Sequence, residues 1–303
     1  MPSLTVTIED NSPIISYSTG WRAGHSSDDK LANMYSQSSF TVTNVAGASA
    51  SFSFNGTMIE IYGAKRGNHG LFQVKLDDVL YPPRTGSAPD PGVFQEPIFS
   101  VDDLALGLHT VTLTNQEDKF LDIDFVSITW DTIIGVNATG KLFTETYQDT
   151  SSSFTYLPSE GDWGANPKRL GSFSGGTGHA TTQPGEGISL YGPIGPGGSP
   201  YSVQIDGLPM SIFTAKKEFF TPQTLLYHAS SLGPGLHNLT LTFQPDAPQQ
   251  MFAIDYATIF TETGLSNGKD TVSNPTVSNT TQVEKIGIHQ MKRYAGFTGP
   301  EVF

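Results

Sequence analysis

Phe120-Leu-Asp-Ile-Asp-Phe-Val-Ser-Ile-Thr-Trp130 is written a second time, as Met251-Phe-Ala-Ile-Asp-Tyr-Ala-Thr-Ile-Phe260. In both stretches apolar residues alternate with small polar ones, and an aspartate, Asp124 or Asp255, falls on the apolar parity. Alternation with a period of two is the pattern of a strand with one buried face. Working outward, other blocks recur in the same order. Ile61-Tyr-Gly63 returns as Leu190-Tyr-Gly192, and Val74-Lys-Leu-Asp77 as Val203-Gln-Ile-Asp206. Gly107-Leu-His109 with Thr112-Leu113 returns as Gly235-Leu-His237 with Thr240-Leu241. The offsets are 131, 129, 129 and 128 residues. A near-constant offset over four ordered blocks marks a duplicated domain. Two copies of one domain suit a function that gains from two sites, and binding gains more from this than most catalysis does.

The rest of the chain carries the same alternation. Ala50, Phe52 and Phe54 share one face, as do Phe72, Val74 and Leu76, then Val111 and Leu113, then Val203 and Ile205. Turn signals at Asn55-Gly, Gly67-Asn, Gly192-Pro and Pro234-Gly break the strands at short intervals. With 32 Gly and 20 Pro, short strands and many turns are expected. The fold class is therefore all-β, two tandem β-sandwich jelly rolls with about eight strands each. Residues 1–135 are assigned to the first domain, 136–141 to a linker and 142–262 to the second domain. Residues 263–303 form a Ser/Thr/Asn-rich tail that turns basic at Lys285 and Lys292-Arg293. Only Ser26–Tyr35 and Phe219–Leu226 resemble helices.

Composition narrows the function classes. Twenty-nine acidic against 16 basic residues leave a net charge of −13, which argues against nucleic acid and anionic membranes as partners. The same charge suits either plain solubility or a hard cation such as calcium. No cysteine is present, so disulfides, zinc thiolates and thiol catalysis are excluded. No apolar run approaches the length of about 18 residues that a membrane span needs. The start, Met1-Pro-Ser-Leu-Thr-Val6, is not an apolar signal segment, so a mature secreted form and a leaderless cytosolic one both stay open. Sequons at Asn55, Asn137, Asn238 and Asn279 lean towards a secreted or cell-surface glycoprotein. Signatures of hydrolase nucleophiles, zinc proteases, phosphate loops and EF-hands are missing.

Several polar residues invite a functional reading. Asp124 and Asp255, carboxylates on an apolar face, must be paired, hydrogen-bonded or metal-bound. The loop Trp21–Tyr35 offers Trp21, His25, Asp28, Asp29, Asn33 and Tyr35, and the matching loop of the second copy offers Trp163 and Asn166. An aromatic face beside amides and carboxylates is the donor set for a sugar, although Trp21 would equally plug the end of a sandwich. After Tyr62-Gly63 the first copy has Arg66, Asn68 and His69 where the second has Gly192-Pro-Ile-Gly-Pro-Gly-Gly198, so any site there belongs to the first copy alone. Asp118 and Asp246 precede the last strands and are further ligand or cation candidates. His109 and His237 recur at a strand entry and are expected to be structural. Asp77-Asp78 and Asp102-Asp103 are neighbours that point to opposite faces, so neither pair serves by itself as a facing acid and base.

The whole order of motifs resembles the galactose-binding-like jelly-roll domains. It runs from an acidic first strand (Asp10 with Ile15-Ser-Tyr17; Asp149 with Phe154-Thr-Tyr156) through a loop Trp, Tyr-Gly and Gly-Leu-His to a closing Ile-Asp-Phe/Tyr. Tandem copies of this wording are similar to a group of basidiomycete extracellular proteins that includes galactose-binding lectins. The resemblance covers roughly residues 5–262. It implies a non-enzymatic, galactose-type lectin with calcium, whose partners are glycans or glycoproteins. It also implies that the last-strand Asp124 or Asp255 acts with an acidic first-strand residue, Glu9, Asp10 or Asp149, to hold the cation. Alternatives left open are a glycoside hydrolase or lyase acting on fungal polysaccharide, and a structural ectodomain of a membrane-anchored wall protein.

Overall fold

The computed structural model describes residues 3–25, 27, 29–131, 143–149, 151, 153–155, 186–233 and 236–261. The linker, the tail, Asp28, Asn137, Trp163, Asn166 and Asn279 lie outside the described residues, and the side chain of His25 does too.

The first copy is a sandwich of two sheets. One holds four strands in the order β1 (Ser3–Glu9), β13 (Phe125–Asp131), β6 (Met58–Lys65) and β10 (Val93–Val101). The other runs β2 (Ser16–Tyr17), β5 (Ser49–Gly56), β11 (Gly107–Asn115), β7 (Leu71–Leu76), β8 (Val79–Leu80), with β9 (Arg84–Thr85) also paired to β7. A third sheet, β12 (Leu121–Ile123), β4 (Ser39–Thr43) and β3 (Trp21–His25), adjoins them. The second copy repeats the four-stranded sheet as β14 (Phe143–Gln148), β20 (Tyr256–Thr261), β15 (Gly187–Ile194) and β18 (Thr221–Ser230). Facing it are β17 (Ser211–Thr214), β16 (Pro200–Ile205) and β19 (Leu239–Phe243). All pairings between the described strands are antiparallel, and the fold is two tandem jelly-roll β-sandwiches.

Alternation placed the cores correctly. Ala50, Phe52, Phe54, Phe72, Val74, Leu76, Val111 and Leu113 are all buried between the first pair of sheets, as Val203 and Ile205 are in the second. Trp130 is fully buried at the end of β13. The recurring Tyr-Gly has a steric cause. A Cβ on Gly63 would stand 2.4 Å from the backbone oxygen of Asp122, and one on Gly192 2.5 Å from that of Ala253. Only a residue without a side chain lets the backbone that leads into the last strand pass so closely.

Neither helix expectation is met. Phe219–Leu226 leads into β18, because Thr224, Leu225 and Leu226 are buried as part of a sheet whose neighbour β15 satisfies their backbone groups. Ser26 and Asp28 lie outside the described residues; the rest of Ser26–Tyr35 has a 3-10 turn at Ala32–Met34 and buries Ala32 and Tyr35 rather than a helical stripe.

Among the described residues the two copies share no sheet, but they pack together. Leu225 of β18 joins the hydrophobic cluster of the first copy, and Ser12 Oγ donates to its carbonyl at 2.6 Å. Lys217 Nζ donates to Ser12 O at 3.2 Å and lies 5.6 Å from the centre of the Tyr17 ring. Glu218 Oε2 accepts from Ala23 N at 3.2 Å. Ser230 Oγ donates to Asn55 O at 2.9 Å, and Asn55 Nδ2 donates back to Ser230 O at 3.4 Å. Trp130 meets Phe260 edge-on and His228 at a tilt. Among the described residues no helix is long and apolar enough to cross a membrane.

Candidate functional site

Two polar assemblies form around the closing strand of the first copy. In the first, Asp10 and Asp124 sit side by side through the backbone, Asp10 N donating to Asp124 O at 3.0 Å. The second copy repeats the contact, with Asp149 N donating to Asp255 O at 2.9 Å. Asp10 and Asp124 are each only 1% exposed. Ser39 Oγ and Thr41 Oγ1 donate to the two oxygens of Asp10, at 3.0 and 2.7 Å. Ser36 bridges the others: its N–H donates to Asp124 Oδ1 at 2.8 Å and its hydroxyl to Glu9 Oε1 at 3.1 Å. Burial, opposed by the Thr41 and Ser39 hydroxyls, pushes Asp10 up to about 7. Burial and the neighbouring charges of Glu9, Asp10 and Asp122 push Asp124 up to about 7 as well.

Glu9 Oε2 and Asp124 Oδ2 are sealed from solvent without a hydrogen-bond partner among the described residues. Two acceptor oxygens in this condition, beside carboxyls pushed towards neutrality, fit a hard cation. They fit it only if backbone carbonyls and water complete the shell, because no three His, Asp or Glu side chains among the described residues are arranged to hold a metal. Asp10, with both oxygens engaged, is not one of the sealed acceptors. In the second copy Gln148 occupies the register position of Glu9, opposite Tyr256 as Glu9 is opposite Phe125. There Gln223 Nε2 donates to Asp255 Oδ2 at 2.7 Å. The second copy therefore brings less charge to the same place.

The other assembly is built on Asp122. Its Oδ2 accepts from the Tyr35 hydroxyl at 2.7 Å and lies 2.8 Å from His69 Nε2, while Oδ1 accepts from Ala64 N at 2.6 Å. His69 Nδ1 is 2.9 Å from Asn68 Oδ1. Nearby, Arg66 is bonded to Asp29 and stands over the Phe94 ring, and Phe94 meets Tyr35 edge-on. Although desolvation acts upward on Asp29, the Arg66 guanidinium holds its carboxyl below the ordinary value. Burial, then the Asp122 charge, pushes the Tyr35 hydroxyl far up, so it stays a donor. The result is graded in exposure. His69 (3%) and Asp122 (1%) are buried, the Arg66 and Asp29 side chains are about one fifth exposed, and Asn68 is exposed. This edge can present a guanidinium, a carboxylate and an amide to a hydroxylated ligand, held from behind by a satisfied buried network.

Five sequence candidates thus come together: Asp29, Arg66, Asn68, His69 and Tyr35. Asp122 was missed, although it stands in the quoted repeat. Its signal was a difference between the copies, since Ala253 replaces it where the second copy also lacks Arg66, Asn68 and His69. Other candidates lie apart from this network. Trp21 packs on Tyr17 at 5.1 Å and against the first core, with its indole Nε1 sealed. Asn33 is exposed on its 3-10 turn. Asp118 is exposed and accepts from Ala46 N at 3.0 Å, and Asp246 is exposed on a loop closed by Gln250. His109 clasps Asp77 Oδ2 (2.7 Å) and Ala105 O (2.7 Å), and His237 clasps Asp206 Oδ2 (2.6 Å) and Gly233 O (2.9 Å). These identical clasps hold the entry to β11 and its counterpart before β19. Of the sequons within the described residues, Asn238 is exposed, whereas the Asn55 amide faces the second copy.

No protein-family model matches the chain, and no curated protein does. Solved structures similar to it include a family two carbohydrate esterase from Cellvibrio japonicus, 17% identical over 43% of this chain, with a TM-score of 0.29. A Paenibacillus xanthan lyase is 10% identical over 85% of the chain, with a TM-score of 0.28. The N-terminal CBM22-1–CBM22-2 tandem domain of Paenibacillus barcinonensis Xyn10C is 11% identical, with a TM-score of 0.28 over 86% of this chain and 97% of that one. The chain spans 35% of the esterase's length and 26% of the lyase's. Likeness at this level carries no argument about function.

Proposed function

We propose that the protein is a non-enzymatic carbohydrate-binding protein whose first copy carries the principal site. The observation that carries this reading is the convergence of Asp29, Arg66 and Asn68 on a fully bonded Tyr35–Asp122–His69 base, together with the loss of all four of Arg66, Asn68, His69 and Asp122 at the matching positions of the second copy. Amides, a guanidinium and a carboxylate at a partly exposed edge match the alternating donors and acceptors of sugar hydroxyls. Galactose-type specificity, calcium, avidity from a second site in the other copy, and a secreted or cell-surface setting rest on the sequence resemblance. Calcium draws added support from Glu9 and Asp124, which would hold it beside Ser36 and stabilise the base of the site.

Catalysis by His69 and Asp122 is disfavoured on physical grounds. Both ring nitrogens of His69 are engaged, and the residue is too enclosed to take a proton from a substrate.

A glycan array probed with calcium and again with EDTA tests the reading, using the protein and its Arg66→Ala and Asn68→Ala variants. Binding that both substitutions weaken is the expected result. Binding untouched by either would move the site elsewhere, and sugar release on incubation would replace the reading with an enzymatic one.

A further inference from the structure

The second copy docks on the first through the outer face of its four-stranded sheet. Leu225, His228 and Phe260 project from that face and meet Trp130 and the first core. The first copy owns the equivalent face. On it Tyr62 and Phe125 are paired in register, with their rings stacked at 4.2 Å and 15°. Tyr191 and Tyr256 repeat this stack at 4.6 Å and 17°.

The stack is kept, but its surroundings differ. By register, Leu225, His228 and Phe260 of the second copy correspond to Pro97, Ser100 and Thr129 of the first, and Ser189 corresponds to Glu60. Hydroxyls thus stand in the first copy where His228 and Phe260 seal the interface in the second, and a carboxylate stands in place of the Ser189 hydroxyl, while Pro97 keeps the Leu225 position apolar. Thr5 and Ser100 are exposed, the hydroxyls of Thr5 and Thr129 are 3.0 Å apart, and Glu60 Oε2 accepts from the Tyr62 hydroxyl at 2.9 Å. The Glu60 carboxylate and the exposed Ser100 hydroxyl count against a second copy of this chain as occupant, because an apolar protein face would desolvate a charge that the Tyr62 hydroxyl alone offsets.

We infer that the outer face of β1, β13, β6 and β10 is a second carbohydrate-binding platform. A pyranose ring of a polysaccharide lies against the Tyr62–Phe125 stack, and Glu60 with the neighbouring Ser and Thr hydroxyls takes its hydroxyl groups. Aromatic edges supply the apolar contact and the flanking acceptors supply orientation. The eight residues of β6 extend over about 26 Å, so the platform suits a chain of linked sugars rather than a single terminal one. It is separate from the Arg66 edge and does not depend on that site binding anything.

Affinity electrophoresis through gels containing soluble galactan, xylan or mixed-linkage β-glucan tests the platform. The protein is compared with Tyr62→Ala, Glu60→Gln and Arg66→Ala, each first checked for an unaltered thermal transition. Glu60→Gln keeps the stack and the shape of the face, so it stays informative if Tyr62→Ala unfolds. The expected result is retardation by at least one polysaccharide that falls by about tenfold or more in affinity on either Tyr62→Ala or Glu60→Gln and persists in Arg66→Ala. Retardation unchanged in both face variants overturns the platform, as does no retardation in any gel. Loss in Arg66→Ala alone supports the edge site and overturns this one. Self-association that Tyr62→Ala abolishes would make a second copy the occupant and overturn the carbohydrate assignment.

Discussion

His69 Nε2 lies 2.8 Å from Asp122 Oδ2, and the two side chains are buried together under the Arg66 edge. Asp122 also takes the Tyr35 hydroxyl and the Ala64 N–H, so three donors depend on one carboxylate.

Replacing Asp122 by Ala leaves those donors buried without an acceptor. A loss of about 3–5 kcal/mol is expected, measurable by urea denaturation. Ala253→Asp in the second copy, where Pro193 and Gly198 stand at the positions of Ala64 and His69, is expected to bring no gain. A loss below about 1 kcal/mol for Asp122→Ala would show that the network contributes no more than a surface pair.

Asp124 sets a pH dependence. Its carboxyl is pushed up to about 7 in the folded state, above the unfolded value of about 3.9. A raised acid favours the fold while protonated, so this contribution is present below the unfolded value and is lost as pH climbs through 7. Asp124→Asn keeps an acceptor for Ser36 N and carries no charge. The variant is expected to melt higher than the parent at pH 8 in EDTA and close to it at pH 4. Millimolar calcium is expected to raise the parent's melting temperature at pH 8 and not the variant's. Equal calcium shifts in both would place the cation away from Asp124.

His228 acts with the opposite sign. Burial holds its imidazole down at about 4, with Ser189 Oγ 2.9 Å from Nδ1 and Nε2 sealed. A depressed base favours the fold while neutral, so its contribution is present above the unfolded value of about 6.5 and is lost as pH falls through 4. His228→Gln is expected to lose less stability than the parent between pH 6.5 and 4, read as the difference between their melting curves. Parallel curves would mean that the ring gains access to water when protonated.

Leu225 couples the copies. Its side chain belongs to the first copy's core cluster although its strand belongs to the second copy's sheet. Leu225→Ala is expected to cost about 2–5 kcal/mol and to split one calorimetric transition into two. A single, merely lowered transition would show that the polar contacts of Ser12, Lys217 and Asn55 suffice to keep the copies coupled.

The sequence alone determined the duplication, both cores and most of the strands, because burial on one face of a strand leaves a period-two imprint that local reading detects; it misread the start of β18 as a helix. It also marked Arg66, Asn68 and His69 as belonging to one copy, because a difference between repeats is visible without coordinates. What it could not supply was convergence. Tyr35, His69 and Asp122 are separated by 34 and 53 residues, and only the passage of β12 beside β4 and β6 brings them onto shared oxygens. The sealed oxygens of Glu9 and Asp124 around Ser36 likewise depend on how a second 3-10 turn, Ser36–Ser38, is laid against them. The fate of the twin sheet faces was decided at the same level. Tyr62–Phe125 and Tyr191–Tyr256 read alike in sequence, and the docking of Leu225, His228 and Phe260 onto the first copy makes one face an interface, whereas the other keeps a half-buried stack beside exposed Thr5, Pro97 and Ser100. Periodicity reports which side of a strand is buried, whereas a site is a relation between strands and needs the fold to bring its parts together.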